Sequence, residues 1–345
     1  MANQNNYLTA GGGIRSSNIE ILRIIATFFI LFIHANFMSI GKPTAEEIAI
    51  DPVGEWSRAL FEAVGIIAVN CFTFISGWFG IRFKIKGLVN FLFQCVFFYM
   101  GTTAILTLTG VSDLTPTVIK GMVFGGNWYI VSYTLLLIMS PVLNAFVENV
   151  SRKEFRLFLI LFWGFALTYG YFSNVSSFRQ GYSPIFLIGL YLLVRYIRIY
   201  SPKFTSLPIY ADILIYLACT VLIAVIFCCF GISCYKYLNP LVIVSSIHFS
   251  LIFTKFEFKN KIVNWFAASA FAAFLLHTSP CIRDYFSSFF NNLWATTPTA
   301  LFWIKTIGII VAIMLLAVII DQLRIALYRW TLAKVDIDGA CDRLL

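Results

Sequence analysis

The sequence predicts an all-α, polytopic membrane protein with about ten transmembrane helices and with both termini in the cytoplasm. Hydrophobic residues make up 60% of the 345 residues and charged residues only 12%, about half of the ~25% that is typical of soluble domains. The apolar residues form stretches long enough to cross a bilayer, and basic residues cluster in every second connection between them. This composition excludes a water-soluble globular enzyme and an intrinsically disordered chain.

Ten apolar stretches approach the ~20 residues that a helix needs to cross ~30 Å of hydrocarbon. We place them at residues 19–40, 58–80, 88–110, 128–147, 154–172, 183–200, 208–230, 238–256, 262–280 and 302–327. The predicted organisation is a cytoplasmic N-terminal segment at 1–18, a ten-helix membrane domain at 19–330 and a cytoplasmic tail at 331–345.

The distribution of basic residues supports this topology, because the cytoplasmic loops of membrane proteins carry an excess of Lys and Arg. With a cytoplasmic N-terminus, 18 of the 25 Lys and Arg residues lie on the inner side of the membrane. The long connections at 41–57, 111–127 and 284–301 then lie on the outer side, where an external substrate would be recognised. The same asymmetry explains the net charge of +9, and no basic stretch with interleaved aromatic residues indicates nucleic-acid binding.

The three His and eight Cys residues match no zinc-binding spacing. We therefore expect no metal and no permanently bound cofactor. Four Cys residues fall near the outer side, so the sequence leaves a disulfide open there; they are Cys228, Cys229, Cys234 and Cys281.

The first apolar stretch contains three ionisable residues, Glu20, Arg23 and His34. Such residues are costly inside a membrane and often mark functional sites. Arg23 and His34 are separated by 11 residues, which places them on one helical stripe about 16 Å apart along the axis. One face of this helix therefore carries an acid and a base near the cytoplasmic end and an imidazole in the outer half.

This arrangement suits a cytosolic acyl-CoA, which has an anionic nucleotide end and a long thin arm that ends in a thioester. Arginine is a preferred partner of phosphate, so Arg23 would bind the nucleotide end. His34 would then act as a general base or as a transient acyl acceptor near the thioester. The spacing alone leaves a second interpretation open, in which Glu20 and Arg23 form a structural ion pair and His34 bonds a backbone carbonyl.

Short motifs along most of the chain resemble those of the acyltransferase-3 family of integral-membrane acyltransferases. They are I-E-x-L-R-x-x-A at 19–26, I-H-A at 33–35, V-N-C-F-T-F-I-S-G at 69–77, N-W-Y at 127–129, S-P-V-L at 140–143, I-G-x-Y at 188–191 and F-L-L-H-x-x-P at 274–280. Each motif is weak by itself, but their order and spacing together are specific. The sequence departs from the family pattern at Asn70, Asn127 and Phe274, where the family usually has Asp, His and Tyr.

The resemblance implies a membrane O-acyltransferase, with a fold of ten helices. It would transfer an acyl group, most often acetyl, from cytosolic acyl-CoA to a hydroxyl of a cell-surface polysaccharide or lipid-linked glycan. The expected location is a bacterial inner membrane, with the bilayer, acyl-CoA and a polysaccharide or glycolipid as partners. By match to the motifs, Arg23 takes the acyl-CoA role and His34 the catalytic role. The departures leave this core intact and put the acceptor side in doubt.

Further residues complete the predicted site. We group Glu20 with His34 as catalytic, and Arg82 and Arg195 with Arg23 as the acyl-CoA site. Acceptor-binding or supporting positions are His277, Asn70, Ser76, Trp128, Tyr129 and Tyr133.

Most of these assignments have a structural alternative. The basic residues also serve topology and lipid headgroups, and aromatic residues at a helix end commonly form an interfacial belt. His277 lies at a depth similar to that of His34, so the two either share a site or His277 serves helix packing. We expect His248 to make a structural bond between helices. Glu62 either orients His34 or binds the acceptor, or it is a solvated helix end, which is the interpretation we favour.

A secondary transporter or a flippase for lipid-linked sugars is the rival function class. Transporters often contain internal repeats and Gly- or Pro-broken helices at the midplane, and the sequence shows neither. It identifies neither the acceptor sugar, the acyl chain nor the oligomeric state.

Overall fold

The computed structural model describes residues 16–111, 113, 115, 116, 119, 127–173, 177–332 and 335. Within this part of the chain the secondary structure is entirely helical. The helices are α1 (Ser17–Ile33, continued by a π-helical segment, His34–Met38), α2 (Ala45–Ile50), α3 (Pro52–Gly65), α4 (Ala68–Phe79), α5 (Ile85–Leu108), α6 (Trp128–Asn149), α7 (Arg152–Phe165, continued by a π-helical segment, Ala166–Phe172), α8 (Pro184–Tyr200), α9 (Ile209–Phe230), α10 (Pro240–Ile252), α11 (Lys261–Ala268), α12 (Ala270–Thr278), α13 (Arg283–Thr296) and α14 (Thr299–Trp330).

The described residues contain seven helical spans that are long and apolar enough to cross a membrane. An eighth is added if the bent pair Lys261–Thr278 and Arg283–Thr296 counts as one span. The seven are Ser17–Met38, Pro52–Phe79, Ile85–Leu108, Trp128–Asn149, Arg152–Phe172, Ile209–Phe230 and Thr299–Trp330. The chain is therefore a polytopic helical membrane protein. The predicted sixth and eighth spans correspond to α8 and α10, which have 17 and 13 residues.

Local sequence explains where several helices begin. The side chains of Thr44 and Ser151 each cap a helix and form a reciprocal capping box with the Glu three residues later. Pro occupies the first turn of α3, α8 and α10, where its missing N–H has no helical partner in any case.

Two predicted outer loops are wrong in detail. The segment 41–57 contains α2 and the start of α3, because Asp51 caps α3 and Pro52 begins it six residues before the predicted start. The segment 284–301 is mostly α13, which is bent by 83° from the α11–α12 direction. Hydropathy missed both helices because they are short or amphipathic rather than continuously apolar. Most of the third predicted loop, 111–127, lies outside the described residues.

Helix α1 lies in the middle of the bundle and packs against α3, α4, α11, α12 and α14. Leu22, Ala26 and Leu31 on this helix are completely buried. Helices α4 and α8 also pack closely against each other. A Cβ atom added to Gly77 of α4 would lie only 2.7 Å from the Cβ of Val194 in α8. The bundle thus encloses the one helix whose ionisable residues the sequence singled out. We refer below to its two ends as the Ser17 end and the His34 end, after the ends of α1.

Candidate functional site

Two histidines meet at the His34 end of the bundle. His34 opens the π-helical continuation of α1, and His277 lies in the last turn of α12. His34 Nδ1 lies 2.7 Å from His277 Nε2, and His277 Nδ1 lies 2.8 Å from the carbonyl oxygen of Ala273. His277 is almost completely buried. The structure therefore brings His277 and His34 together, as the alternative of a shared site requires.

The direction of these hydrogen bonds follows from what each atom can do. A carbonyl oxygen only accepts, so His277 Nδ1 must carry the proton that bonds Ala273. Nε2 of neutral His277 then holds a lone pair and accepts from Nδ1–H of His34. His34 Nε2 is consequently left without a proton, as a general base or nucleophile requires.

Aromatic side chains enclose the histidine pair. The His277 ring lies 5.8 Å from Phe274 on its own helix and 5.1 Å from Phe286 of α13. Phe286 is in turn 4.7 Å from Phe290, which is completely buried. The bend before α13 thus places this helix against the histidines, where a loop was predicted.

A buried polar network holds the segment that follows His34. The carboxylate of Glu62 accepts hydrogen bonds from Asn36 Nδ2 at 3.0 Å and from the backbone N–H of Phe37 at 3.4 Å. Arg58 donates to Asn36 and, at 2.6 Å, to Glu55. The prediction that Glu62 is a solvated helix end is wrong, because Glu62 is only 5% exposed. These residues lie outside the motifs assigned to catalysis, and they hold the segment that begins at His34 in place.

Arg23 and Glu20 form an ion pair at the other end of α1, with 3.1 Å between Nε and Oε2. The Arg23 side chain is 37% exposed, whereas that of Glu20 is only 8% exposed. The guanidinium also lies close enough to the Tyr129 hydroxyl to act on it electrostatically. Glu20 precedes His34 by 14 residues, or about 21 Å of helix. The structure therefore places it with Arg23 and not with His34.

Arg195 and Arg82 lie at the Ser17 end, where α4 ends. Arg195 Nη1 donates to the carbonyl of Gly77 at 3.3 Å. Its Nε is buried and has no hydrogen-bond partner among the described residues. The chain leaves α4 at Gly80, whose φ of +74° carries it past this guanidinium. Arg82 follows two residues later and is exposed.

Tyr129 and Tyr133 line the interior between the two ends. Their rings lie 5.8 Å apart, and Tyr129 is 5.7 Å from Phe274, next to the histidines. The Tyr133 hydroxyl lies 3.1 Å from Ser76 Oγ. Tyr129 is only 7% exposed, so the interfacial-belt interpretation is wrong for this residue. Arg23, Tyr129, Phe274 and His277 thus follow one another through the bundle.

Trp128 faces elsewhere, because neighbouring residues of an α-helix point about 100° apart. Its ring lies 4.9 Å from Tyr182 and 5.5 Å from Tyr237. Asn70 reaches the same cluster, since its Nδ2 donates to the backbone carbonyl of Tyr237 at 3.2 Å. The predicted acceptor residues therefore divide into an interior group and a group at the His34 end.

The third histidine lies outside this arrangement. His248 Nδ1 is 2.8 Å from Asp212 Oδ1, and Lys255 also bonds the Asp212 carboxylate. The expected bond between helices is confirmed, since Asp212 belongs to α9 and His248 to α10.

Sequence reasoning missed the completely buried carboxylates of Asp212 and Asp321. Asp321 had a signal in the sequence, because its partner Arg324 follows three residues later on the same helical face.

The cysteines and possible metal ligands add nothing to this site. The structure forms no disulfide among the four cysteines that the sequence left open for one, which are Cys228, Cys229, Cys234 and Cys281. In the part of the chain that the structure describes, no three His, Cys, Asp or Glu side chains form a group that could hold a metal ion.

Comparisons with known proteins provide a separate line of evidence. A family model described as an acyltransferase domain, of the acyltransferase-3 type, matches residues 16–321. The match begins just before α1 and ends within α14, so it includes Arg23, His34 and His277. The chain matches no curated protein and no solved structure.

Proposed function

Because the chain belongs to the acyltransferase-3 family of integral-membrane acyltransferases, we propose that it transfers an acyl group, in the first instance acetyl, from cytosolic acyl-CoA to a sugar hydroxyl. The acceptor is a cell-surface polysaccharide or its lipid-linked precursor. The observation that carries this proposal is the hydrogen bond between His34 and His277, which leaves His34 Nε2 unprotonated inside the membrane domain.

The proposed topology has ten crossings and places both termini in the cytoplasm, in the inner membrane of a bacterial cell. The Ser17 end then faces the cytosol and the His34 end faces outward. The seven long spans, the bent pair, α8 and α10 together give the ten crossings. The excess of Lys and Arg in alternate connections favours this orientation.

Acyl-CoA is proposed to enter at the Ser17 end. Arg23 is accessible there and is positioned by Glu20, so it binds a phosphate of the nucleotide. Arg195 and Arg82 add charge beside it. The buried Nε of Arg195, which has no partner among the described residues, is a donor that a phosphate oxygen would satisfy. The pantetheine arm then runs along Tyr133, Tyr129 and Phe274 and brings the thioester to His34.

His34 Nε2 takes the proton of the acceptor hydroxyl while that oxygen attacks the thioester carbon. The C–S bond breaks, the ester forms, and the sulfur leaves as CoA after receiving the proton from His34. Transfer through an acyl group carried briefly on His34 Nε2 uses the same geometry. His277 holds the His34 ring in place, and in both routes its Nε2 accepts from Nδ1–H.

Acetyl-CoA turnover by the purified protein in nanodiscs tests the proposal. We expect His34→Ala to lower CoA release by about 10²-fold or more, as loss of a general base does. We expect Arg23→Ala to weaken acetyl-CoA binding. The matched control is Lys153→Ala, which removes an exposed basic residue at the same end and should change neither value.

One result of this assay would contradict the proposal. If the folded wild-type protein neither binds nor cleaves any short acyl-CoA, even with cell-envelope glycan added, the donor assignment fails. Non-enzymatic transport of a lipid-linked sugar would then be the function to test.

A further inference from the structure

Three aromatic rings form a cluster at the His34 end, apart from the histidine pair. Trp128 lies 4.9 Å from Tyr182, and Tyr182 lies 4.7 Å from Tyr237. Trp128 and Tyr182 are half-buried, whereas Tyr237 is buried. The cluster therefore has an open side formed by two aromatic rings. Such rings present flat apolar area with polar edges, which suits the faces of a sugar.

Asn70 contacts the backbone of this cluster at Tyr237 and offers an unused acceptor. Its Nδ2 donates to the Tyr237 carbonyl, which fixes the orientation of the amide. Its Oδ1 is buried and has no hydrogen-bond partner among the described residues. A buried acceptor without a donor is unfavourable, and a hydroxyl of a bound molecule would satisfy it.

Two lysines lie at the edge of the aromatic cluster. Lys236 Nζ is 6.0 Å from the centre of the Tyr182 ring. Lys42 Nζ donates to Ser233 at 2.8 Å, in the same connection between α9 and α10. Burial and the charge of Lys42 both lower the pKa of Lys236. In the described part of the chain, neither lysine forms an ion pair with a carboxylate, so an anion placed between them would offset their repulsion.

The carboxyl group of Glu62 acts electrostatically on Tyr182 and Tyr237, and Lys42 acts on Glu62 in the same way. Its carboxylate is already bonded by Asn36 and Phe37. Among the described residues, it forms no ion pair with Lys42 or Lys236.

The backbone beside the cluster is strained. Arg179 and Gln180 have φ values of +45° and +56°, which are unfavourable for residues other than Gly. Gly181 follows with φ of +101°, and a Cβ there would lie 2.6 Å from the backbone nitrogen of Leu238. Strain of this kind persists where the surroundings impose it and is common at ligand sites. Here it sets Tyr182 against Tyr237.

The cluster is also close to the segment that carries His34. Tyr235 lies in the same connection as Lys236 and Tyr237, and its ring is 5.0 Å from Phe37, three residues after His34. Its hydroxyl donates to the Ala59 carbonyl at 2.8 Å. A molecule bound on the cluster therefore lies at the end of the bundle where the histidine pair is found.

We propose that this cluster binds the acceptor, and that the acceptor is a sugar with a negative charge. The cluster consists of Trp128, Tyr182, Tyr237, Asn70, Lys42 and Lys236. The sugar ring stacks on Trp128 and Tyr182, one of its hydroxyls donates to Asn70 Oδ1, and its carboxylate or phosphate lies between the two lysines. The inference rests on the proposed function for its claim that the bound sugar is the acceptor. The charge preference itself does not depend on acyl transfer.

Binding of matched oligosaccharides to the full-length protein in nanodiscs tests this inference. The probes are an oligogalacturonate, its neutral methyl ester and a sugar 1-phosphate, so that a carboxylate, no charge and a phosphate are compared. The first variant combines Lys42→Gln with Lys236→Gln. The second is Asn70→Asp, which replaces the amide with a carboxylate. The control is Lys305→Gln, which removes an exposed lysine of α14 near the same end.

We expect the wild-type protein and Lys305→Gln to bind at least one anionic probe about tenfold more tightly than the ester. The double lysine variant should lose this preference while it still binds the ester, and Asn70→Asp should weaken anionic binding. The stronger of the two anionic probes identifies the source of the charge. The inference is overturned if the wild type prefers no anionic probe, or if the preference survives in the double variant.

CoA release separates this inference from the proposed function. The control variant Lys305→Gln, which lies outside the proposed cluster, should cleave acetyl-CoA at the wild-type rate in the absence of acceptor. If the wild type shows the charge preference but cleaves no acyl-CoA, the anionic sugar site stands and the acyltransferase proposal fails.

Discussion

At the scale of single residues, the site depends on a histidine that orients another histidine. In many hydrolases a carboxylate orients the catalytic imidazole, but a buried carboxylate in a membrane interior carries a large desolvation cost. Neutral His277 accepts from His34 at 2.7 Å, and its Nδ1–H donates a hydrogen bond to the Ala273 carbonyl. The backbone thus selects the tautomer of both rings without placing a charge in the site.

This arrangement predicts that His277 acts by positioning. His277→Ala leaves Nδ1–H of His34 without its acceptor, and we expect kcat to fall by about 10²-fold with little change in the KM for acyl-CoA. His277→Gln should retain more activity than His277→Asn, because only the Gln side chain reaches the position of Nε2. Steady-state kinetics of the three variants decide this, and equal losses in all three would contradict it.

The buried ion pair of α14 predicts a stability effect at another position. Asp321 accepts from Arg324 through both carboxylate oxygens and from Gln94 at 3.0 Å. Asp321→Ala leaves the buried Arg324 guanidinium without a carboxylate partner and should cost about 3–5 kcal/mol of unfolding free energy. The control is Asp284→Ala, because the Asp284–Arg283 pair is exposed and such pairs contribute about 0–1 kcal/mol. Thermal unfolding in detergent measures both, and similar melting temperatures for the two variants would refute the expectation.

At the scale of elements, α13 covers the histidine pair. The chain bends by 83° after α12, and α13 then packs beside the π-helical continuation of α1. Phe286 and Phe290 point into the protein, while Phe289 between them is half exposed. The helix therefore presents an aromatic face to His277 and keeps water away from the site, as group transfer in competition with hydrolysis requires.

Removal of Phe286 should therefore admit water. In Phe286→Ala we expect CoA release without acceptor to increase several-fold, since water replaces the sugar hydroxyl as the group that His34 deprotonates. Phe289→Ala is the matched control and should behave as the wild type, because its ring faces outward. A CoA-release assay with and without acceptor measures the change. Unchanged release by a folded Phe286→Ala protein would show that α13 does not exclude water.

At the scale of the whole molecule, the apolar runs predicted the helical membrane fold correctly, whereas the ten crossings and the orientation inferred from charge asymmetry stay predictions. The similar depths of His34 and His277 also pointed to their meeting. The sequence did not predict that the side chains of Trp128 and Tyr129 face different parts of the protein. Their surroundings depend on which neighbouring helix packs against each side of α6. The burial of Glu62 was missed for a similar reason: its partners, Asn36 and the Phe37 N–H, belong to another helix. Pairings between distant segments leave no local pattern in one sequence.

The proposed orientation predicts which surfaces a reagent reaches from outside the cell. Single cysteines are introduced at Glu46, Lys153 and Lys203, all exposed, in a variant whose native cysteines are replaced and whose CoA release matches the wild type. Glu46 lies at the His34 end, so Glu46→Cys should react with a membrane-impermeant maleimide in intact spheroplasts. Lys153→Cys and Lys203→Cys should react only after permeabilisation.

Lys203 is the decisive position, because it follows α8, which has only 17 residues. A helix of this length spans about 26 Å, close to the hydrocarbon thickness of a bilayer. Protection of Lys203→Cys in intact spheroplasts, together with labelling of Glu46→Cys, would establish α8 as a crossing and keep the count at ten. Labelling of Lys203→Cys from outside would show that α8 does not cross the membrane. It would also place the Arg195 end of α8 on the wrong side for cytosolic acyl-CoA, so Arg195 would have to be withdrawn from the donor site.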